Sequence, residues 1–358
     1  MTRRSGRPVA RAAGAAAIAG LLALAGCSSS GSGGSRPSPS ASGTHQASDP
    51  SPSPTRPAGP AAGLGQLGKF RTARYKIWFT EPAHTGPTGE HLGPRRLLTV
   101  IRYPRAASPP GTRRPARGPL PLIVFGPGFQ QCDAPYADLL TAWASAGYVV
   151  AAVNFPESDC LTGSAATESD MVNQPRDMSY VITAMLALSA ARHGFFAGAL
   201  SRREIAVSGQ SDGGDTVAAL GANTCCTDRR VAAVAVLSGA QWPPMPGRFF
   251  SRRPAPMLFA QGSADTVNLP GCSAAMYRAD PAPDRFYLDL LGADHLKPYW
   301  GVTRYERIVA GVSVAFFDRF VLGRPAAGPA MRRHGDVAGL AELLRHGQGD
   351  LPAGPCVT

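Results

Sequence analysis

The chain is expected to fold as an α/β protein with a mostly parallel twisted sheet and helices on both faces. Short, wholly apolar runs alternate with helical stretches along most of its length. One such run, Ile205-Ala206-Val207, leads directly into Gly209-Gln210-Ser211-Asp212-Gly213-Gly214. Acidic and imidazole side chains then follow later strand-like runs, where an open parallel sheet gathers its reactive groups.

The elements follow in order. Tyr75–Thr80 and Leu97–Tyr103 read as an opening pair of strands, followed by a Pro/Arg-rich surface loop through Pro119. Leu122-Ile123-Val124-Phe125 is apolar throughout and bounded by Pro and Gly, as a buried parallel strand should be. Tyr136–Ala146 reads as a helix and Tyr148–Asn154 as a second buried strand. Gln174–Ala191 forms a long amphipathic helix with Met178, Val181, Ile182, Met185, Leu186 and Leu188 on or near one face. Ile205–Ser208 is the strand before the Ser211 turn, and Asp215–Gly221 suits a short buried helix after it. Val231–Ser238, Pro256–Gln261 and Arg285–Leu291 supply three more strands, and Val302–Leu322 a closing helix. No internal repeat is found.

The N-terminus reads as a targeting segment. Arg3, Arg4, Arg7 and Arg11 form a positive region, Ala15–Ala25 an apolar stretch too short to span a bilayer comfortably, and the segment ends in Leu24-Ala25-Gly26-Cys27. That ending resembles a bacterial lipobox, which implies cleavage before Cys27 and acylation of Cys27 as the mature N-terminus. Residues 27–68 then form a Ser/Pro/Gly-rich tether with no apolar period from which to build a core. The catalytic domain is expected over residues 69–324, with a tail, 325–358, packed on or near it. A lipid anchor followed by a tether implies work outside the cytoplasmic membrane.

The formal charge is +12, and arginine far outnumbers lysine, which occurs only at Lys69, Lys76 and Lys297. No nucleic-acid-binding motif accompanies this charge, so a nucleic-acid partner is not expected. Apart from Cys27 there are six cysteines, an even number that suits disulfides in an exported protein. Cys132 and Cys160 are expected to pair, from loops at one end of neighbouring strands. Cys225 and Cys226 are adjacent and are expected to take separate partners in Cys272 and Cys356. No C-x-x-C pair with companion histidines occurs, and neither a metal nor a cofactor is expected.

Gly209-Gln210-Ser211-Asp212-Gly213 has the G-x-S-x-G pattern of a nucleophile elbow, a sharp strand-to-helix turn that exposes a serine at its apex. Side chains two positions either side would collide with the neighbouring strand and helix. A serine hydroxyl needs a base, and the base needs a carboxylate to fix its tautomer. His295, in Gly292-Ala293-Asp294-His295, follows the last strand, and Asp265, in Gln261-Gly262-Ser263-Ala264-Asp265, follows the one before. Asp289 and Asp294 are the alternative acids. His84, His91, His193, His334 and His346 are expected to be solvated, and His45 falls in the tether. The loop Gly126-Pro127-Gly128-Phe129-Gln130-Gln131 is expected to supply one oxyanion donor, the Phe129 amide, to pair with that of Asp212.

Taken together, Phe125-Gly126-Pro127-Gly128-Phe129, the Ser211 elbow, Asp265 and His295 resemble an α/β-hydrolase. The resemblance covers roughly residues 70–322 and is nearest the branch of cutinase-like polyester hydrolases, dienelactone hydrolases and platelet-activating-factor acetylhydrolases. It implies a serine esterase working on a small-molecule, lipid or polymer ester without metal or cofactor. Polyester-hydrolase relatives carry His-Ser-Met or Trp-Ser-Met at the elbow, whereas this chain has Gln210-Ser211-Asp212, which puts polymer degradation in doubt. Asp212 is expected to cap the elbow helix. Gln130, Gln210, Trp242 and Trp300 are candidate substrate contacts, and Ser158–Asn173 an excursion near the site mouth. Acyl transfer, or thioester or amide hydrolysis, would use the same machinery, and a non-catalytic binding lipoprotein is a reading of a different class.

Overall fold

The computed structural model describes residues 67–107, 113–241, 243–251 and 254–345, with 351, 352, 354 and 356 near the C-terminus. Cys27, the signal reading, the tether reading up to residue 66, Trp242, His45 and His346 lie outside the described residues.

The chain begins with β1 (Thr72–Glu81), a small hairpin of β2 (His84–Thr85) and β3 (His91–Leu92), and β4 (Arg95–Pro104). Then come β5 (Leu120–Gly126), α1 (Ala137–Ser145) and β6 (Val149–Asn154). Two 3-10 turns, Gly163–Ala165 and Glu168–Val172, precede α2 (Gln174–Ala190). β7 (Leu200–Gln210) leads into α3 (Asp212–Ala222), followed by β8 (Ala233–Leu237), β9 (Met257–Gly262), α4 (Pro270–Ala279) and β10 (Arg285–Leu290). The chain closes with α5 (Arg304–Phe320), α6 (Ala327–Gly335) and β11 (Ala341–Arg345).

Nine strands form one mixed sheet in the order β1-β4-β6-β5-β7-β8-β9-β10-β11. The central six, β6 to β10, are mutually parallel, while β1, β4 and β11 run antiparallel to their neighbours. From β5 the chain moves one way to β6, then returns across β5 to β7 and continues in the other direction. Right-handed crossovers therefore place α1 on one face and α2, α3 and α4 on the other. In agreement, α1 packs on α5 and α2 on α3.

The apolar runs account for the central strands. Ile123, Val124, Phe125, Val149, Val150, Ala151, Ala152 and Val153 have no solvent exposure, because both faces of the sheet are covered. Each such Val or Phe contributes on the order of 1.5–3 kcal/mol through burial. α5 starts where Thr303 Oγ1 accepts the Glu306 amide at 2.9 Å, a Thr-x-x-Glu capping arrangement.

One expectation needs correction. Cys132 does pair with Cys160 and Cys272 with Cys356, but Cys225 pairs with its neighbour Cys226 rather than with either distant cysteine. Within the segment 325–358, α6 packs on α5 and β11 pairs with β10 as an edge strand.

Candidate active site

β5 and β7 are adjacent strands whose onward connections diverge, so a crevice opens between their carboxyl ends. Ser211 stands at that point, between the end of β7 and the start of α3, with φ 57° and ψ −125°. Its amide donates to Leu237 O at 2.9 Å, and its carbonyl accepts from the Gly214 and Asp215 amides at 2.6 and 3.1 Å. The glycines are needed because the backbones nearly touch. A Cβ on Gly209 would fall on the Gly213 carbonyl, and one on Gly213 on the Gly126 carbonyl.

His295, between β10 and α5, is held by Asp265, which follows β9. The imidazole Nδ1 lies 2.7 Å from Asp265 Oδ2, with 8% of His295 and 2% of Asp265 exposed. The carboxylate is fully engaged: Oδ2 also accepts from Gln261 Nε2 at 2.8 Å, and Oδ1 from the Val267 and Asn268 amides at 2.9 and 3.1 Å. Charge-assisted bonds of this kind fix the acid and, through it, the ring. The alternative acids lie elsewhere. Asp294 is exposed and accepts from the Leu296 and Lys297 amides, while Asp289 sits within β10 opposite Gln261 and Glu342.

Among the described residues no hydrogen bond joins the Ser211 hydroxyl to His295. Gln210 Nε2 lies on His295 Nε2 instead, at 3.1 Å. Gln210, a candidate substrate contact in the sequence, is 1% exposed, and its amide is engaged with Tyr136 and His295.

The loop after β5 brings Phe129 to the same crevice. Gln131 N–H donates to Gly128 O at 3.0 Å, Gln130 N–H to Ser158 O at 2.8 Å, and Gln130 adopts φ 56°. These bonds hold the turn while the Phe129 amide donates to no other main-chain group among the described residues. The Cys132–Cys160 disulfide ties this loop to the 158–173 excursion, and Arg102 Nη2 anchors Asp133 at 2.8 Å.

Asp212 does not behave as a cap. It is 5% exposed, and its Oδ2 has no hydrogen-bond partner. Burial pushes its carboxyl up to about 7, and the Glu168 charge adds to the rise, against a contact with its own amide. The cause is position: Asp212 is the buried first residue of α3, a helix that packs against the Glu168–Val172 turn of the excursion.

The remaining candidates are more peripheral. Gln130 is exposed, with Nε2 3.4 Å from Gly163 O. Trp300 is half-buried and meets Tyr136 edge-on at 6.0 Å between ring centroids. His84, read as solvated, has a side chain only 7% exposed, 3.7 Å from Glu81. Gln261 and Tyr136, both buried and bonded into the site, are not legible in the sequence; a glutamine inside a strand and a tyrosine before a helix carry no local signal. Among the described residues no group of three or more His, Cys, Asp or Glu is placed to hold a metal, and no helix is long and apolar enough to cross a membrane. No protein-family model matches the chain, and no curated protein matches it.

Proposed function

We propose that this chain is a serine hydrolase of the α/β-hydrolase fold that cleaves carboxylic esters outside the cytoplasmic membrane, tethered by a lipid on Cys27. One observation carries the catalytic part. Ser211 occupies a positive-φ turn between strand and helix, next in the chain to Gln210, whose amide touches a buried Asp265–His295 pair at 2.7 Å presented from the ends of later strands.

In this reading His295 Nε2 takes the Ser211 hydroxyl proton as Oγ attacks the ester carbonyl. The carbonyl π electrons move onto oxygen, and the amides of Phe129 and Asp212 receive the oxyanion. The adduct collapses by breaking the bond to the alcohol oxygen, which takes the proton from His295. Water then attacks the acyl-serine, giving its proton to His295, and the acid leaves as Ser211 Oγ regains that proton. Asp265 keeps the imidazole in the productive tautomer and balances its transient charge. A serine–histidine hydrogen bond that forms only with substrate bound is consistent with this chemistry.

The test is turnover of p-nitrophenyl esters from acetate to palmitate by the wild type and Ser211→Ala. The reading expects turnover that Ser211→Ala removes by about a thousandfold or more with the fold intact. Undiminished turnover in that variant excludes Ser211, and no turnover by folded wild type favours a binding lipoprotein. The anchor is tested separately: Cys27→Ala should leave the membrane fraction, and fatty-acid labelling of that variant would contradict acylation at Cys27.

A further inference from the structure

The side chain of Gln210 completes a hydrogen-bonded chain across the candidate site. The Gly128 amide donates to Tyr136 Oη at 3.2 Å, and Tyr136 Oη donates to Gln210 Oε1 at 2.7 Å. Gln210 Nε2 then donates to the His295 carbonyl at 3.2 Å and to His295 Nε2 at 3.1 Å. His295 Nδ1 continues the chain to Asp265. A Cβ on Gly128 would meet Gln210 Oε1 at 3.0 Å, so the loop after β5 lies directly on this amide.

The proton directions in this chain are determined. A main-chain carbonyl only accepts, so the amide nitrogen, not the oxygen, faces His295. Tyr136 receives the Gly128 N–H and has one proton of its own, which goes to Oε1; burial pushes its phenol above the ordinary value, so that proton stays. Gln210 therefore presents N–H to His295 Nε2, which must offer a lone pair. The imidazole proton is left on Nδ1, facing Asp265.

We propose that Gln210 is a positioning residue of the Ser211 reaction: its amide engages the Nε2 lone pair of the tautomer that Asp265 sets and fixes the ring's direction, linking that ring through Tyr136 to the loop that carries Phe129. The proposal rests on the serine mechanism above and adds a resting state to it. Before substrate binds, Nε2 is held by Gln210. When Nε2 takes the serine proton, two donors would face each other, so Gln210 gives up that contact. It remains tethered by Tyr136 and the His295 carbonyl, ready to restore it once the proton has left for the alcohol. The two contacts alternate within each half-reaction, and no atom beyond those of ester and water is required.

The experiment compares full-length wild type, Gln210→Met and Ser211→Ala in detergent, with p-nitrophenyl acetate as substrate and 15N-labelled histidine for NMR. His295→Ala identifies the His295 signals. Gln210→Met is expected to lower kcat by about tenfold or more, with KM within about twofold, because a misdirected base loses reactivity rather than substrate affinity. The wild-type 15N pattern is expected to show the proton on Nδ1; in Gln210→Met it stays there, held by Asp265, while the Nε2 signal shifts with loss of its donor. Should Gln210→Met not fold, Gln210→Glu keeps the shape, places an acceptor at Nε2 and is expected to draw a second proton onto the ring there. Wild-type kcat in the folded variant, or unchanged His295 signals, would overturn the proposal. Ser211→Ala separates the two readings. Full turnover there sinks the serine mechanism, while lost turnover there beside wild-type kcat in Gln210→Met sinks the Gln210 role alone.

Discussion

Ser211 pays for its position in backbone strain: a non-glycine residue at φ 57° and ψ −125° costs on the order of 1–3 kcal/mol. The amide and carbonyl bonds around it, and two glycines that let three backbone segments touch, over-determine the turn. The next residue sets a pH dependence. With its carboxyl pushed up to about 7, chiefly by burial, Asp212 is neutral in mild acid and charged above neutrality. A charge beside its own amide opposes an oxyanion developing there; at an effective dielectric of ~20 and ~6 Å, two unit charges repel by about 3 kcal/mol. Asp212→Asn keeps the shape and removes the charge. Its kcat/KM relative to wild type should be near unity at pH 5.5 and rise by up to about a hundredfold by pH 8.5, as the wild-type carboxyl loses its proton. A ratio that stays flat across that range would show that the ionisation of Asp212 does not reach the oxyanion.

At the scale of elements, the excursion between β6 and α2 is held by charge. Arg95, at the start of β4 and 4% exposed, makes a bidentate pair with Asp177 of α2 at 2.8 and 2.7 Å, and also reaches Asp170 at 2.8 Å and Glu157 at 3.3 Å. Arg95→Met would leave two fully buried carboxylates without a counter-charge, a loss of about 3–5 kcal/mol in urea unfolding. A change under 1 kcal/mol would mean that these carboxyls simply take up protons when Arg95 is absent. The sequence shows why some elements were legible and others were not. β5 and β8 are apolar from end to end and β6 is apolar up to Asn154, and such runs have few alternatives between Gly and Pro. β11 reads Ala-Glu-Leu-Leu-Arg, too short and too charged to stand out, and forms because β10 offers it an open edge. α4 begins at a proline within a polar stretch, and only its packing on β9 and β10 defines it. At the candidate site, Ser211, Asp265 and His295 were identifiable because each follows a strand. Gln210 stands in the elbow motif, but its contact with His295 depends on Tyr136 and on the approach of the loop after β5, neither of which a single sequence encodes locally.

At the scale of the molecule, the sheet order explains why distant segments converge. Reversal of the chain's direction at β5 and β7 opens the crevice, and four strand ends deliver Phe129, Ser211, Asp265 and His295 to one edge of the sheet. Disulfides at Cys132–Cys160 and Cys272–Cys356 close loops on the same domain, as suits an oxidising compartment and the proposed place outside the membrane. The central claim is that Ser211 is a nucleophile activated by His295. It is tested most directly by treating the folded protein with a fluorophosphonate and locating the adduct by peptide mass spectrometry. The account predicts one adduct, on Ser211, formed far more slowly in His295→Ala. A folded protein that stays unlabelled, or one labelled on a different serine, would contradict it.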